Sequence, residues 1–262
     1  MTTKQTSQSW TICPKSNATA KLRLFCFHYA GGGAASFRTW SNNLPSSVEV
    51  HLVELPGRGF RLKEKAFASL DPLVIATANA LHHHLDKPFA FFGHSMGGLL
   101  CFELARLLRQ KHGLHPTHLF VSAYRAPQLP DPDPPIYNLP DSEFIAELKD
   151  LEGTPQKVLE NAELMQLLMP TLRADFAVVD TYKYTAEPPL NCPITAFGGL
   201  QDREVSYEEL KAWKEQTKGK FSLQMLPGNH FFIHSAQSQL LQYLSQSLSI
   251  IIDNIGTAAY KD

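Results

Sequence analysis

Phe89-Ala90-Phe91-Phe92-Gly93-His94-Ser95-Met96-Gly97-Gly98 is the stretch on which the reading of this chain turns. Four apolar residues suited to a buried strand run into Gly-x-Ser-x-Gly, and helix-patterned sequence begins near Gly98. A serine held between strand and helix in this way reads as a nucleophile elbow. The turn drives the serine backbone to positive φ, and hydrogens in place of side chains at 93 and 97 let strand and helix approach closely enough to hold it. The helix N-terminus then lies beside Ser95, with free N–H groups and the positive end of its dipole. The bare five-residue pattern is expected by chance in roughly one chain in ten of this size. The flanking strand and helix therefore carry the reading.

Working outward, apolar runs suited to strands recur at Leu22 to Phe27, Val48 to Val53, His118 to Ser122, Ile194 to Phe197 and Phe221 to Leu226, in addition to Phe89 to Phe92. Helical patterns intervene at Pro72 to Leu85, Gly98 to Lys111, Tyr207 to Thr217 and Ala236 to Leu248. The alternation predicts an α/β fold, a mainly parallel sheet with helices on both faces. The segment after Ser95 is apolar around most of its surface, which suits a central buried helix.

One region breaks the alternation. Pro127, Pro130, Pro132, Pro134 and Pro135 make Ala126 to Pro135 extended and irregular. Helical pieces then follow with no strand between them. Phe144, Ile145, Leu148 and Leu151 mark one apolar face, Leu164, Leu167 and Leu168 a second, and Pro170 is expected to open a third carrying Leu172, Phe176 and Val179. The expected organisation is a single domain over 1–262 with a lid inserted at about 126–184; the alternative is a small bundle that only extends the core. Met1 to Ser9 and Asp253 to Asp262 read as poorly ordered ends.

A chain of 262 residues with 44% hydrophobic and 19% charged residues can bury a substantial interior. The formal net charge is −1 without long charged blocks, which argues against nucleic acid or an anionic membrane as the main partner. No apolar run is long enough to span a bilayer, and the polar N-terminus lacks a signal-peptide core. Cys13, Cys26, Cys101 and Cys192 are scattered without metal-ligand spacing. A cytoplasmic protein with reduced thiols is expected, and a monomer is the default.

A serine hydroxyl needs a base, and the base an orienting acid. After the strand Ile194 to Phe197 comes Gly198-Gly199-Leu200-Gln201-Asp202, and after Phe221 to Leu226 comes Pro227-Gly228-Asn229-His230. Ser95, Asp202 and His230 thus stand in the chain order and strand–loop settings of the α/β-hydrolases, which this arrangement resembles. Glu204 and Asp180 are rival acids, the latter more suited to a solvated helix face; His234 is a rival base. His94 reads as structural. The consecutive His82, His83 and His84 diverge around a helix and make a poor metal site. An oxyanion hole needs two convergent N–H groups. Met96 follows the nucleophile, and Ala30 lies in the early loop His28-Tyr29-Ala30-Gly31-Gly32-Gly33, which lacks the Lys-Ser/Thr of a P-loop.

Tyr29-Ala30-Gly31-Gly32, Leu55-Pro56-Gly57-Arg58-Gly59, Gly93 to Gly98, Phe102-Glu103-Leu104-Ala105-Arg106, Leu172-Arg173-Ala174-Asp175 and Pro227 to Phe232 together resemble the type II thioesterases. These are free-standing editing enzymes that accompany polyketide synthases and nonribosomal peptide synthetases. The resemblance runs from about Phe27 to Phe232. It implies hydrolysis of acyl thioesters from the phosphopantetheine arm of acyl or peptidyl carrier proteins, through an acyl-Ser95 intermediate, removing aberrant acyl groups. It implies no metal and no bound cofactor, because 4'-phosphopantetheine arrives with the substrate. Asn229 departs from the glycine common before the family's histidine, and asparagine tolerates left-handed backbone. Phe144, Ile145, Leu148, Met165, Leu168 and Met169 are candidates for the acyl channel, with core packing as the alternative. Arg58 and Arg173 either meet the pantetheine phosphate or carrier, or serve packing. Other readings are a medium-chain fatty acyl chain-releasing thioesterase, a general esterase, and a non-catalytic carrier-binding protein.

Overall fold

Alternating side chains in the strands explain the sheet. In β2 (Leu22–Phe27), Leu22, Leu24 and Cys26 enter one buried cluster while Phe25 and Phe27 enter the other. In β4 (Phe89–His94), Ala90 and Phe92 join the first, Phe89 and Phe91 the second. Strands apolar on both faces need cover on both, which is the parallel-sheet solution. The computed structural model describes residues 9–258. It has seven strands, completed by β1 (Thr11–Ile12), β3 (Val48–Val53), β5 (His118–Ser122), β6 (Ile194–Gly199) and β7 (Phe221–Leu226), in the order β1-β3-β2-β4-β5-β6-β7. Only β1 is antiparallel.

One face is covered by α1 (Leu70–Leu81) and α2 (Met96–His112), whose Leu99, Leu100, Leu104 and Leu108 are fully buried. Burying each such leucine is worth about 1.5–3 kcal/mol relative to exposure. The other face is covered by α8 (Gln237–Ala258), through Leu240, Leu244 and Leu248, packed with Phe37 and Trp40. The α/β architecture expected from the alternation is the one observed.

Between β5 and β6 stand α3 (Asp141–Asp150), α4 (Gln156–Leu159) and α5 (Ala162–Asp180). Two expectations change here. Pro170 does not open a helix: it lies inside α5, which unites the segments around Leu167 and Leu172. Proline in a helix removes one backbone hydrogen bond and crowds the carbonyl four residues earlier. Pro170 and Gln166 both face solvent, so water can satisfy the released carbonyl, while buried Met165, Leu172, Ala174 and Val178 hold the helix to the molecule. The second change is at the C-terminus. Asp253 to Ala258 are not irregular but continue α8; Met1 to Gln8 and Ala259 to Asp262 lie outside the described residues. Two short helices, α6 (Tyr207–Lys211) and α7 (Phe232–Ser235), follow β6 and β7. Among the described residues, no helix is long and apolar enough to cross a membrane.

Candidate active site

Ser95 connects β4 directly to α2 with φ 53 and ψ −121. That backbone region is costly for a non-glycine residue, by about 1–3 kcal/mol. The close approach that holds it is tight: a Cβ on Gly93 would fall 2.0 Å from the Gly97 carbonyl oxygen, and one on Gly97 2.3 Å from that of Phe27. The Ser95 N–H donates to the Ser122 carbonyl at 2.7 Å, tying the elbow to the neighbouring strand end. Met96 is the first residue of α2, so its N–H has no intrahelical acceptor.

His230 follows β7 and lines the same cavity as Ser95. Its Nδ1–H donates to the Asp202 carboxylate, at 3.1 Å from Oδ2 and 3.2 Å from Oδ1. The Asp202 side chain is fully buried, and its Oδ1 also accepts the N–H groups of Glu204 at 2.9 Å and Val205 at 3.3 Å. Four acceptor contacts keep this carboxylate in one orientation. The two loops are sewn together by Gln201, whose N–H donates to the Gly228 carbonyl at 2.9 Å and whose side-chain oxygen accepts from Gly228 at 2.6 Å. Among the described residues, no hydrogen bond joins Ser95 Oγ to His230. Such contacts often tighten only when substrate binds.

Of the three rivals, Asp180 and His234 are engaged elsewhere. Glu204 lines the cavity, and its own N–H serves Asp202. Asp180 is not on a solvated face: its Oδ2 accepts the N–H groups of Ile136 at 2.8 Å and Tyr137 at 3.0 Å, ending the proline-rich segment. Burial pushes both carboxyls above their ordinary range. His234 Nε2 meets the Tyr29 hydroxyl at 2.9 Å. His94 is buried and held neutral, since burial pulls its pKa well down. A neutral imidazole has one donor and one acceptor. Its Nε2–H donates to the His230 carbonyl at 3.0 Å, and its Nδ1 accepts from the Ser122 hydroxyl at 2.9 Å. His94 thus braces the His230 backbone.

Asn229 is not the left-handed residue of its loop; Gly228 is, at φ 118. The Asn229 side chain instead donates to Glu152 at 2.7 Å and accepts the Phe231 N–H at 3.0 Å, bridging the loop to the region after α3. Neither Arg58 nor Arg173 is free for an anion. Arg58 forks onto Asp175, with 2.6 and 2.7 Å contacts. Arg173 donates to the Tyr137 carbonyl at 2.7 Å and to Asp141 at 2.6 Å, and lies over the Phe144 ring.

Ser95, His230 and Ala30 open onto a cavity of about 930 Å³. Of the six apolar candidates for its wall, only Leu148 reaches it. Phe144 and Met165 are buried in a small core inside the helical insertion, and Ile145, Leu168 and Met169 pack against that core. Ile136, Leu139, Leu151, Phe176, Val179 and Phe231 are among the apolar residues that line the cavity with Leu148. Eight carboxylates and three cationic side chains also line it: Asp131, Asp133, Glu143, Glu147, Asp150, Glu152, Asp180 and Glu204 against Arg125, Lys149 and Arg203. Arg125 is already paired with Asp131.

Cys13, Glu49 and His51 bring potential metal-ligand atoms within 4.8 Å of one another, near the opposite end of the sheet from Ser95. Arg23 Nε at 2.9 Å and the Asn17 N–H at 2.9 Å already occupy the Glu49 carboxylate. A second cation there would meet the guanidinium.

Residues 22–248 match the family model of the thioesterase domain. The chain is 46% identical over 243 residues to the gramicidin S biosynthesis protein GrsT of Aneurinibacillus migulanus, spanning 93% of this chain and 95% of that protein. It is 40% identical to the RedJ thioesterase from the prodiginine biosynthetic pathway in Streptomyces coelicolor, with a TM-score of 0.81, covering 87% of this chain and 86% of that one. YbtT, a type II thioesterase from the yersiniabactin NRPS/PKS biosynthetic pathway, is 30% identical with a TM-score of 0.83, covering 93% and 100%.

Proposed function

The chain belongs to the thioesterase family, and from that premise we propose that it hydrolyses acyl thioesters carried on the phosphopantetheine arm of carrier proteins in nonribosomal peptide or polyketide synthesis. It is a thioester hydrolase. The observation that supports a serine mechanism is Ser95 strained at the head of α2, on a cavity shared with a His230 already bonded to Asp202.

In this reading His230 Nε2 takes the Ser95 proton as Oγ attacks the thioester carbonyl carbon. The carbonyl oxygen becomes an oxyanion held by the N–H groups of Met96 and Ala30. Collapse breaks the carbon–sulfur bond, and the imidazolium returns its proton to the departing pantetheine sulfur. Water then gives a proton to His230 and attacks acyl-Ser95, releasing the acid and restoring the hydroxyl. Asp202 fixes the His230 tautomer and stabilises the imidazolium in both steps. Asp202→Asn keeps the shape but favours the wrong tautomer, and kcat is expected to fall about 10⁴-fold. Steady-state deacylation with KM measured alongside checks this; a loss under tenfold would exclude the role.

The carboxylate excess on the cavity wall should also sort acyl groups by charge. Alanyl, isobutyryl and methylmalonyl thioesters share one branched shape and differ in carrying an ammonium, a methyl or a carboxylate. On one carrier protein, kcat/KM should fall in that order, by at least about tenfold from first to last, equivalent to 1.4 kcal/mol. Equal rates would remove the charge argument. Ser95-dependent turnover of these carrier thioesters supports the function itself. Activity confined to long free acyl-CoA or oxygen esters would overturn it.

A further inference from the structure

The loop Tyr29-Ala30-Gly31-Gly32 is held by polar groups that come from three separate parts of the chain. The Tyr29 carbonyl accepts the Gly32 N–H at 2.9 Å and the His28 Nδ1–H at 2.9 Å. His28 is fully buried, and burial takes its pKa down to about 3, so it is a neutral donor at Nδ1. A trans peptide is planar, with C=O and N–H pointing opposite ways. With the Tyr29 carbonyl turned toward His28 and Gly32, the Ala30 N–H of the same peptide points the other way, and Ala30 lines the cavity beside Ser95.

The next peptide is fixed from the helical insertion. The Gly31 N–H donates to Asp175 Oδ2 of α5 at 2.8 Å. Asp175 is in turn gripped by Arg58, with Nη1 to Oδ2 at 2.6 Å and Nη2 to Oδ1 at 2.7 Å. Arg58 Nη1 also reaches the Gly32 carbonyl at 3.2 Å, and Nη2 that of Pro56 at 3.3 Å. The pair is buried, with side chains 8% and 3% exposed. Gly31 itself, at φ +73, lies so close to α5 that a Cβ there would sit 2.6 Å from Leu172 Cδ2. A buried ion pair is weak evidence of net stability, since desolvating both charges offsets much of their attraction. Its geometry fits a different role, because a forked pair with a third, directed acceptor contact holds a backbone amide in one plane.

We propose that Asp175, fixed by Arg58, is a positioning residue for oxyanion binding: it clamps the Gly31 N–H so that the neighbouring Ala30 N–H stays aimed at the carbonyl oxygen of a substrate on Ser95. The inference rests on the serine thioester hydrolysis proposed above. It makes α5, a helix of the insertion, part of the support for transition-state binding.

The test uses Asp175→Asn and the double variant Arg58→Met/Asp175→Leu, which removes both charges together and so avoids a lone buried charge. Measurements are kcat and KM on an acyl-carrier substrate, and Ki for an alkyl boronic acid, whose tetrahedral anionic adduct with Ser95 needs the same donors. Folded fraction is set by circular dichroism, and rates are expressed per folded molecule. In the double variant kcat should fall about 100-fold with KM within twofold, and the boronate Ki should rise by a similar factor. Asp175→Asn keeps one acceptor and should fall between. A lower melting temperature with unchanged kcat and boronate Ki would show a stability role only and overturn the proposal. Wild-type protein with neither Ser95-dependent turnover nor boronate binding would instead overturn the hydrolase reading beneath it.

Discussion

Ser95→Ala is expected to lower kcat for carrier deacylation by roughly 10⁴- to 10⁶-fold, and His230→Ala by a similar amount. The double variant should be no slower than either single one, because nucleophile and base act as a unit. The stability outcome separates this from damage to the fold. Ser95 is only part-buried and sits at φ 53; alanine there keeps the same backbone penalty, so stability should stay within about 0.5 kcal/mol. Ser95→Gly should be equally inactive yet more stable, by about 1 kcal/mol, since glycine accepts positive φ at little cost. Chemical denaturation and single-turnover deacylation on the same preparations check both. Residual turnover above a few per cent in Ser95→Ala would remove the serine from the mechanism.

The strands were readable because their pattern has one simple cause. Phe25 and Phe27 go to one face and Leu24 and Cys26 to the other, and a short apolar run rich in aromatic residues suits a strand between two layers. β1 offered no such run: it is two residues long and pairs at the edge with Leu52 and Val53. Pro170 gave a helix-start signal that tertiary packing overrode, since the cost falls on an exposed carbonyl and the opposite face of α5 is buried. The choice between channel wall and core, left open for six apolar residues, could not be made from sequence for a related reason. Periodicity in Phe144, Leu148 and Met165 reports that a face is buried, but a core and a cavity wall look the same in sequence. Only packing shows that Phe144 and Met165 fill the insertion's interior while Phe176 and Val179 reach the cavity.

Each member of the candidate triad follows a strand, so Ser95, Asp202 and His230 could be nominated from chain order and strand-end setting. Asp202 was preferred, with Glu204, two residues on in the same loop, kept as its rival, because sequence shows no contact to either. The structure sets Asp202 against His230 Nδ1 and turns the Glu204 N–H onto Asp202. The Arg58–Asp175 pair was out of reach in another way. Its partners are 117 positions apart, and no local period links them. The signal lay in two motifs, Pro-Gly-Arg-Gly and Arg-Ala-Asp, whose Arg58 and Asp175 proved to be each other's partners.

The largest stability effect should come from a single methyl group at the elbow. Gly97→Ala places a Cβ 2.3 Å from the Phe27 carbonyl oxygen and 2.8 Å from that of His28. Gly93→Ala places one 2.0 Å from the Gly97 oxygen and 2.5 Å from the Gly98 nitrogen. These neighbours are backbone of β2, α2 and the loop that follows β2, so no rotamer change relieves the contact. Sheet and helix must separate, opening a core in which Phe27, Leu99 and Leu100 are buried. We expect each variant to lose at least about 4 kcal/mol, a large share of the 5–15 kcal/mol typical of a native protein, and to melt about 10 °C or more lower. Gly113→Ala is the control: its φ is +63, but a Cβ there meets nothing within 4 Å. It should cost only about 1–2 kcal/mol, the penalty of left-handed backbone alone. Gly93 and Gly97 carry no such positive φ among the described residues, so the comparison isolates close approach from conformational freedom. If thermal unfolding of Gly97→Ala matched Gly113→Ala to within 2 °C, which is about 1 kcal/mol for a chain of this length, the elbow would not depend on that contact, and the strain at Ser95 would need another cause.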